Sequence, residues 1–187
     1  MTIQRLRPET TAVIVIDVQE RLAPAMPEDR YQDLLRSSRI LLGAAGLFSS
    51  PVLATEQYPG GLGPTVAEIA TTLEALQVSA RDKLSFSAWD APGFAEELRG
   101  CKASTAIVIG MEAHVCVYQT VRDLVEAGIE VYVPIDGVCS RRDDHRDVGI
   151  DLCVAAGAVR TTTESIVFDW LRVAGSDEFK ALSKLIR

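Results

Sequence analysis

Six short apolar runs alternate along the chain with longer stretches whose apolar positions recur at helical spacing. The runs are Ala12 to Ile16, Val52 to Thr55, Val78 to Arg81, Thr105 to Ile109, Val131 to Ile135 and, weaker, Val159 to Thr162. Several are continuous in Val, Ile and Ala, the pattern of strands covered on both faces in a parallel sheet. Between them, Tyr31 to Phe48 repeats Leu34, Leu35, Ile40, Leu41, Leu42 and Leu47 near helical period. Phe94 to Leu98 is a shorter turn or two; Val117 to Val125 and Val148 to Ala156 follow, and Glu178 to Ile186 reads as a polar-faced helix. Strands separated by helices require right-handed crossovers. The pattern therefore predicts an α/β fold, a three-layer α/β/α arrangement around a doubly wound, six-stranded parallel sheet of order 3-2-1-4-5-6. No internal repeat or low-complexity segment interrupts it, and one domain over residues 1–187 is expected.

Composition narrows the class. A chain of 187 residues, 48% hydrophobic and 24% charged, can bury roughly 70% of its unfolded surface as one domain. The formal net charge is −7 and nothing basic is clustered, which argues against nucleic-acid and anionic-membrane partners. No apolar run approaches the ~20 residues of a membrane span. Met1 to Pro8 carries two arginines but no signal-peptide core, so a cytoplasmic setting is expected. Cys101, Cys116, Cys139 and Cys153 form no CxxC pair, and a domain this long needs no covalent staples, so free thiols are expected. The two histidines, His114 and His145, belong to no HxH or HExxH pattern, and no metal site is expected.

Three polar residues stand out against the strand pattern. Asp17 ends the first run, Lys83 follows the third, and Cys116 lies where the fourth strand breaks through Gly110-Met111-Glu112-Ala113-His114 into a helix. A cysteine at a helix N-terminus faces unpaired N–H groups and the positive end of the helix dipole, which favour its thiolate. In a doubly wound sheet, ligands bind beyond the carboxyl ends of the strands, where the strand order reverses. Here that is between the strands ending at Asp17 and leading into Cys116, with Lys83 presented from the side. Each residue also has a plainer reading: a strand-end cap for Asp17, a solvated loop lysine for Lys83, a small buried hydrophobe for Cys116. The Gly/Pro-rich stretch Glu56-Gln57-Tyr58-Pro59-Gly60-Gly61-Leu62-Gly63-Pro64 has no nucleotide-binding signature, and a pocket rim or a surface turn both account for it. His114 more simply shapes its turn than serves as a base; His145 reads as a solvated helix start. Cys139 falls where it could line the far wall of the crevice, and Cys101 and Cys153 read as inert.

The segments Val13-Ile14-Val15-Ile16-Asp17-Val18-Gln19, Lys83-Leu84-Ser85-Phe86-Ser87-Ala88-Trp89 and Gly110-Met111-Glu112-Ala113-His114-Val115-Cys116-Val117 resemble the isochorismatase-like cysteine hydrolase superfamily. Thr55 to Thr65 looks like the branch called isochorismatase domain-containing proteins, and the likeness runs from about Thr10 to Leu171. What the resemblance implies is an Asp-Lys-Cys triad carried by Asp17, Lys83 and Cys116, and a non-proline cis peptide at Met111-Glu112. It also implies assembly into a homo-oligomer. The chain departs from the nicotinamidases, which carry an Asp-x-His…His metal motif after the second strand where this chain has Glu56-Gln57-Tyr58.

These readings together predict a hydrolase acting on a small amide or related carbonyl compound. Cys116 is the expected nucleophile, Asp17 its base and Lys83 the partner that orients Asp17, while the backbone N–H groups of Glu112 and Cys116 form the oxyanion hole. Gln19, Glu56, Gln57, Tyr58 and Trp89 are the candidate substrate contacts. No organic cofactor or metal is required. Two alternatives stay open: a vinyl-ether hydrolase of the isochorismatase type, and a binding or scaffolding protein that kept the fold.

Overall fold

The computed structural model describes residues 5–186. The sheet forms from β1 (Thr11–Ile16), β2 (Val52–Gln57), β3 (Arg81–Lys83), β4 (Thr105–Met111), β5 (Glu130–Pro134) and β7 (Val159–Thr161), in the order β3-β2-β1-β4-β5-β7. All its pairings are parallel. The expected order therefore holds, with one addition. A two-residue strand, β6 (Val138–Cys139), pairs with Gly110 and Met111 of β4. It exists because β4 is longer than its neighbour: β5 pairs only with Thr105, Ala106 and Ile107, which leaves the far end of β4 for another segment.

The period-2 alternation of β1 and β4 divides the interior in two. Val13, Val15, Ile107 and Ile109 face one cluster, while Ala12, Ile14, Ile16, Ala106 and Val108 face the other. The first is covered by α1 (Glu28–Phe48), α3 (Ala67–Ala75), α7 (Thr163–Leu171) and α8 (Asp177–Ile186). A four-residue turn, α2 (Pro59–Leu62), precedes α3. The second cluster lies under α4 (Phe94–Gly100), α5 (Tyr118–Glu126) and α6 (Asp143–Ala156). Each large aliphatic side chain so buried contributes about 1.5–3 kcal/mol.

Several boundaries differ from the sequence expectation. The third strand is Arg81–Lys83 rather than Val78 to Arg81, because Thr55, Glu56 and Gln57 pair with Arg81, Asp82 and Lys83. A charged, three-residue strand suits the open edge of a sheet. Helix α6 starts at Asp143, five residues before the apolar stretch that suggested it. Helices α3 and α7 carried no expectation; α3 buries only Ile69 and Leu73, too thin a stripe to read by period. The apolar half of α1 is buried within its own chain: Gly43 lies against Leu185 of α8.

Candidate active site

Three strand ends and one turn bring the predicted triad together. Asp17 follows β1 with φ of +50°, a left-handed conformation that aspartate tolerates better than most residues. Its carboxylate is fully buried and accepts hydrogen bonds from Lys83 Nζ at 2.7 Å and from Thr55 Oγ1 at 2.8 Å. Lys83 is 3% exposed, and its ammonium also donates to Gln57 Oε1 at 2.7 Å, Phe86 O at 2.9 Å and Ser85 O at 3.1 Å. Four acceptors around three protons hold a buried cation that would otherwise be costly.

Cys116 lies in a wide π-turn, Ala113–Val117, that leads into α5. The Met111–Glu112 peptide before that turn is cis. The Cys116 thiol is buried and lies beside the Asp17 carboxylate, close enough for its charge to act on the thiol. The expected thiolate is not its resting form. Burial first, and then the Asp17 carboxylate, push the thiol up to about 12, against the downward pull of Lys83. The helix dipole is outweighed, and at neutral pH Cys116 holds its proton next to a carboxylate placed to take it.

The turn is clamped from several sides. Thr120 Oγ1 donates to Cys116 O at 2.7 Å and accepts from Ala88 N at 2.9 Å, tying the turn that carries Cys116 to the loop after β3. Glu112, nearly buried, accepts from the backbone N and Nε of Arg141, each at 3.0 Å. His114 Nδ1 pairs with Ser140 Oγ at 3.0 Å and its ring lies 4.8 Å from that of His145, so His114 shapes the turn. Burial lowers the pKa of His114. Cys139 is buried in the first core cluster beside Met111.

Gly149 of α6 passes directly under this turn: a Cβ there would lie 2.5 Å from His114 N and 2.6 Å from Ala113 C. Alanine ordinarily stabilises a helix interior relative to glycine by about 0.5–1 kcal/mol. Gly149→Ala is expected to do the reverse, losing about 1–3 kcal/mol through overpacking and displacing the turn that carries Cys116. Thermal unfolding together with alkylation of Cys116 checks this. A higher melting temperature with unchanged Cys116 reactivity would be the contrary result.

The five candidate substrate contacts fare differently. Gln19 is buried and spends its amide on structure: Oε1 accepts from Gln57 N, and Nε2 donates to Gln57 O and Gly63 O. It is a tie between β2 and the Gly/Pro-rich loop, not a group facing the crevice. Glu56 is likewise turned away. Successive strand residues point to opposite faces, and since Thr55 and Gln57 serve Asp17 and Lys83, Glu56 instead accepts from Thr65 N and Oγ1, both at 2.6 Å. Gln57 supports Lys83 directly and donates to Leu84 O. Tyr58 is exposed and lines a cavity that reaches Lys83 but not Cys116. Trp89 is half-buried against the cluster holding Cys116, with the Arg99 guanidinium 5.0 Å above its ring. The sequence reading missed Thr55, Thr120 and Arg141. The spacing of Thr55 and Gln57, two polar residues on one face of β2, was the available sign for Thr55.

Among the described residues, no group of three or more His, Cys, Asp or Glu is arranged to hold a metal ion, and no helix is long and apolar enough to cross a membrane. The four cysteines are free.

A family model described as the isochorismatase domain matches residues 11–165. The chain is 35% identical to the secreted isochorismatase effector Isc1 of Phytophthora sojae, over 98% of this chain and 87% of that protein. It is 31% identical to isochorismatase domain-containing protein 2A of Mus musculus, over 98% and 85% of the two chains. Among solved structures, one described as MAR1 ribonuclease from Caenorhabditis elegans superimposes with a TM-score of 0.90 at 36% identity, covering 98% of this chain and 92% of that one.

Proposed function

The chain belongs to the isochorismatase family, and on that basis we propose that it is a cysteine hydrolase of small amides or related carbonyl compounds. The observation that carries the proposal is one buried carboxylate, Asp17, shared between the Lys83 ammonium and the Cys116 thiol. In the reaction, Asp17 accepts the thiol proton as Cys116 Sγ bonds to the substrate carbonyl carbon. The N–H groups of Glu112 and Cys116 hold the resulting oxyanion, a contribution of about 2.7–4 kcal/mol for one such donor. The C–N bond then breaks and Asp17 gives its proton to the departing amine. Water attacks the thioester, Asp17 accepts its proton, and that proton returns to Cys116 as the acid leaves. Lys83 keeps the carboxylate in place throughout. No step calls for a cofactor.

A cytoplasmic setting belongs to this reading as a proposal; the Phytophthora relative is described as secreted. Homo-oligomerisation, implied by the family resemblance, is part of the same reading. RNA is not: a net charge of −7 opposes a phosphate backbone.

The test is a panel of small amides with isochorismate alongside, quenched in acid during turnover and mapped by mass spectrometry. An acyl adduct on Cys116, absent with Cys116→Ala, is the expected result. Hydrolysis of amides by Cys116→Ala would refute the nucleophile, and isochorismate cleavage without an adduct would favour the vinyl-ether reaction.

A further inference from the structure

A concavity lies on the open-edge side of the sheet, beside the candidate site; it shares Lys83 with that site and does not reach Cys116. It has a volume of about 560 Å³ and is walled by Tyr58, Pro59, Leu84 and Pro92, with Asp82 and Asp90 among its lining residues. That volume falls in the range of small-molecule sites, and so does the lining, apolar with a few polar anchors. Its apolar walls are held open to water: Tyr58 is 58% exposed and Leu84 78%.

The Gly/Pro-rich loop, which the catalytic reading leaves without a task, builds one of these walls. Tyr58 N donates to Lys83 O at 2.9 Å, anchoring the residue to β3. The turn α2 then folds back, with Gly61 N and Leu62 N both donating to Tyr58 O. The phenol ring rests against Gly61 so closely that a Cβ there would lie 2.4 Å from two ring carbons. Glycine at position 61 is thus what allows the ring to lie where it does.

The charge of the cavity is one-sided. Among the described residues neither Asp82 nor Asp90 forms an ion pair. The nearest cations are engaged elsewhere: Lys83 is spent on Asp17, Gln57 and two carbonyls, and Arg81 pairs with Glu97. Two uncompensated carboxylates, an exposed aromatic ring and apolar walls are together the recognition elements for an organic cation.

We propose that this cavity binds an organic ammonium ion carrying an aromatic or aliphatic body, with Asp82 and Asp90 meeting the charge and Tyr58 and Leu84 the body. The assignment does not depend on the proposed hydrolysis: Asp82, Asp90 and Leu84 have no part in it, and Tyr58, a substrate contact expected from sequence, lines this cavity, which does not reach Cys116.

Calorimetric titration of the full chain with phenethylammonium, 2-phenylethanol and phenylacetate tests it, since the three share a body and differ in charge. The ammonium ion is expected to bind at millimolar concentration or below, at least about tenfold tighter than the alcohol or the carboxylate, and more weakly as salt is raised. Cys116→Ser should bind it equally well. Asp82→Asn/Asp90→Asn should weaken it at least about tenfold, and circular dichroism would verify the fold of both variants. Failure of the ammonium ion to bind, equal binding of the alcohol, or undiminished binding by the folded double variant would each overturn the proposal. So would loss of binding in Cys116→Ser, which would place the amine at the thiol instead.

Discussion

Asp17→Asn is expected to separate thiol reactivity from turnover, moving the two in opposite directions. Asparagine keeps the shape of the side chain, and Lys83 retains Gln57 Oε1 and two backbone carbonyls as acceptors, so the site should stay assembled. Turnover should fall by about 10²–10⁴-fold, the usual value of a positioned acid–base group. Alkylation of Cys116 by iodoacetamide should become faster at a given pH. The sign follows from what holds the thiol near 12: after burial, the next cause is the negative charge of Asp17. Removing that charge leaves Lys83 unopposed, lowers the thiol pKa and raises the thiolate fraction. Peptide mapping after alkylation across a range of pH, with hydrolysis followed in parallel, would check both halves. A folded Asn variant that still hydrolyses substrate would remove Asp17 from the role of base, and slower alkylation would contradict the electrostatic account.

Lys83→Met should show in stability what Asp17→Asn shows in chemistry. Methionine fills much of the volume but leaves the Asp17 carboxylate fully buried with only two neutral side chains, the Thr55 hydroxyl and the Cys116 thiol, as neighbours in place of the cation. Breaking a buried ion pair from one side costs about 3–5 kcal/mol, which for a domain of this size lowers the melting temperature by roughly 6–20 °C. Adding Asp17→Asn to Lys83→Met should recover part of the loss, because the stranded charge is then gone. A double-mutant cycle from denaturant unfolding isolates that coupling. An unchanged midpoint for Lys83→Met would mean that the carboxylate is solvated in a way its burial does not suggest.

The parts of this molecule that were legible in sequence are those where one physical requirement dominates. Strands β1 and β4 are buried on both faces, so nearly every residue must be apolar, and the runs announce themselves. The placement of Asp17 and Cys116 then follows from strand ends and strand order alone. Edge elements were harder. Strand β3 consists of Arg81, Asp82 and Lys83, with no apolar signal, and it is defined only by its partner β2. Substrate contacts were hardest, because Gln19 and Glu56 are polar residues near the site whose polarity is used up by the backbone of their own loop. Local chemistry identifies such a side chain as capable of binding; only the fold decides which atoms reach it first. The resting state of Cys116 shows the same limit. A helix start favours the thiolate, but the depth of burial and the adjoining carboxylate reverse the outcome, and neither can be read from the position of a cysteine in the chain.

The wide turn from Ala113 to Val117 has a consequence for how such a chain can change over evolutionary time. Each residue of an ordinary helix advances the side-chain direction by about 100°, so the length of this turn fixes the angle between Cys116 and the buried face of α5, formed by Thr120, Val121 and Leu124. Deleting one residue would rotate either the thiol off Asp17 or that face off the core. An insertion would do the same in the other sense. This stretch can therefore diversify only by substitution at constant length, whereas the loop from Tyr58 to Val66 carries no such angular constraint and is held instead by point ties, Gln19 to Gly63 and Glu56 to Thr65.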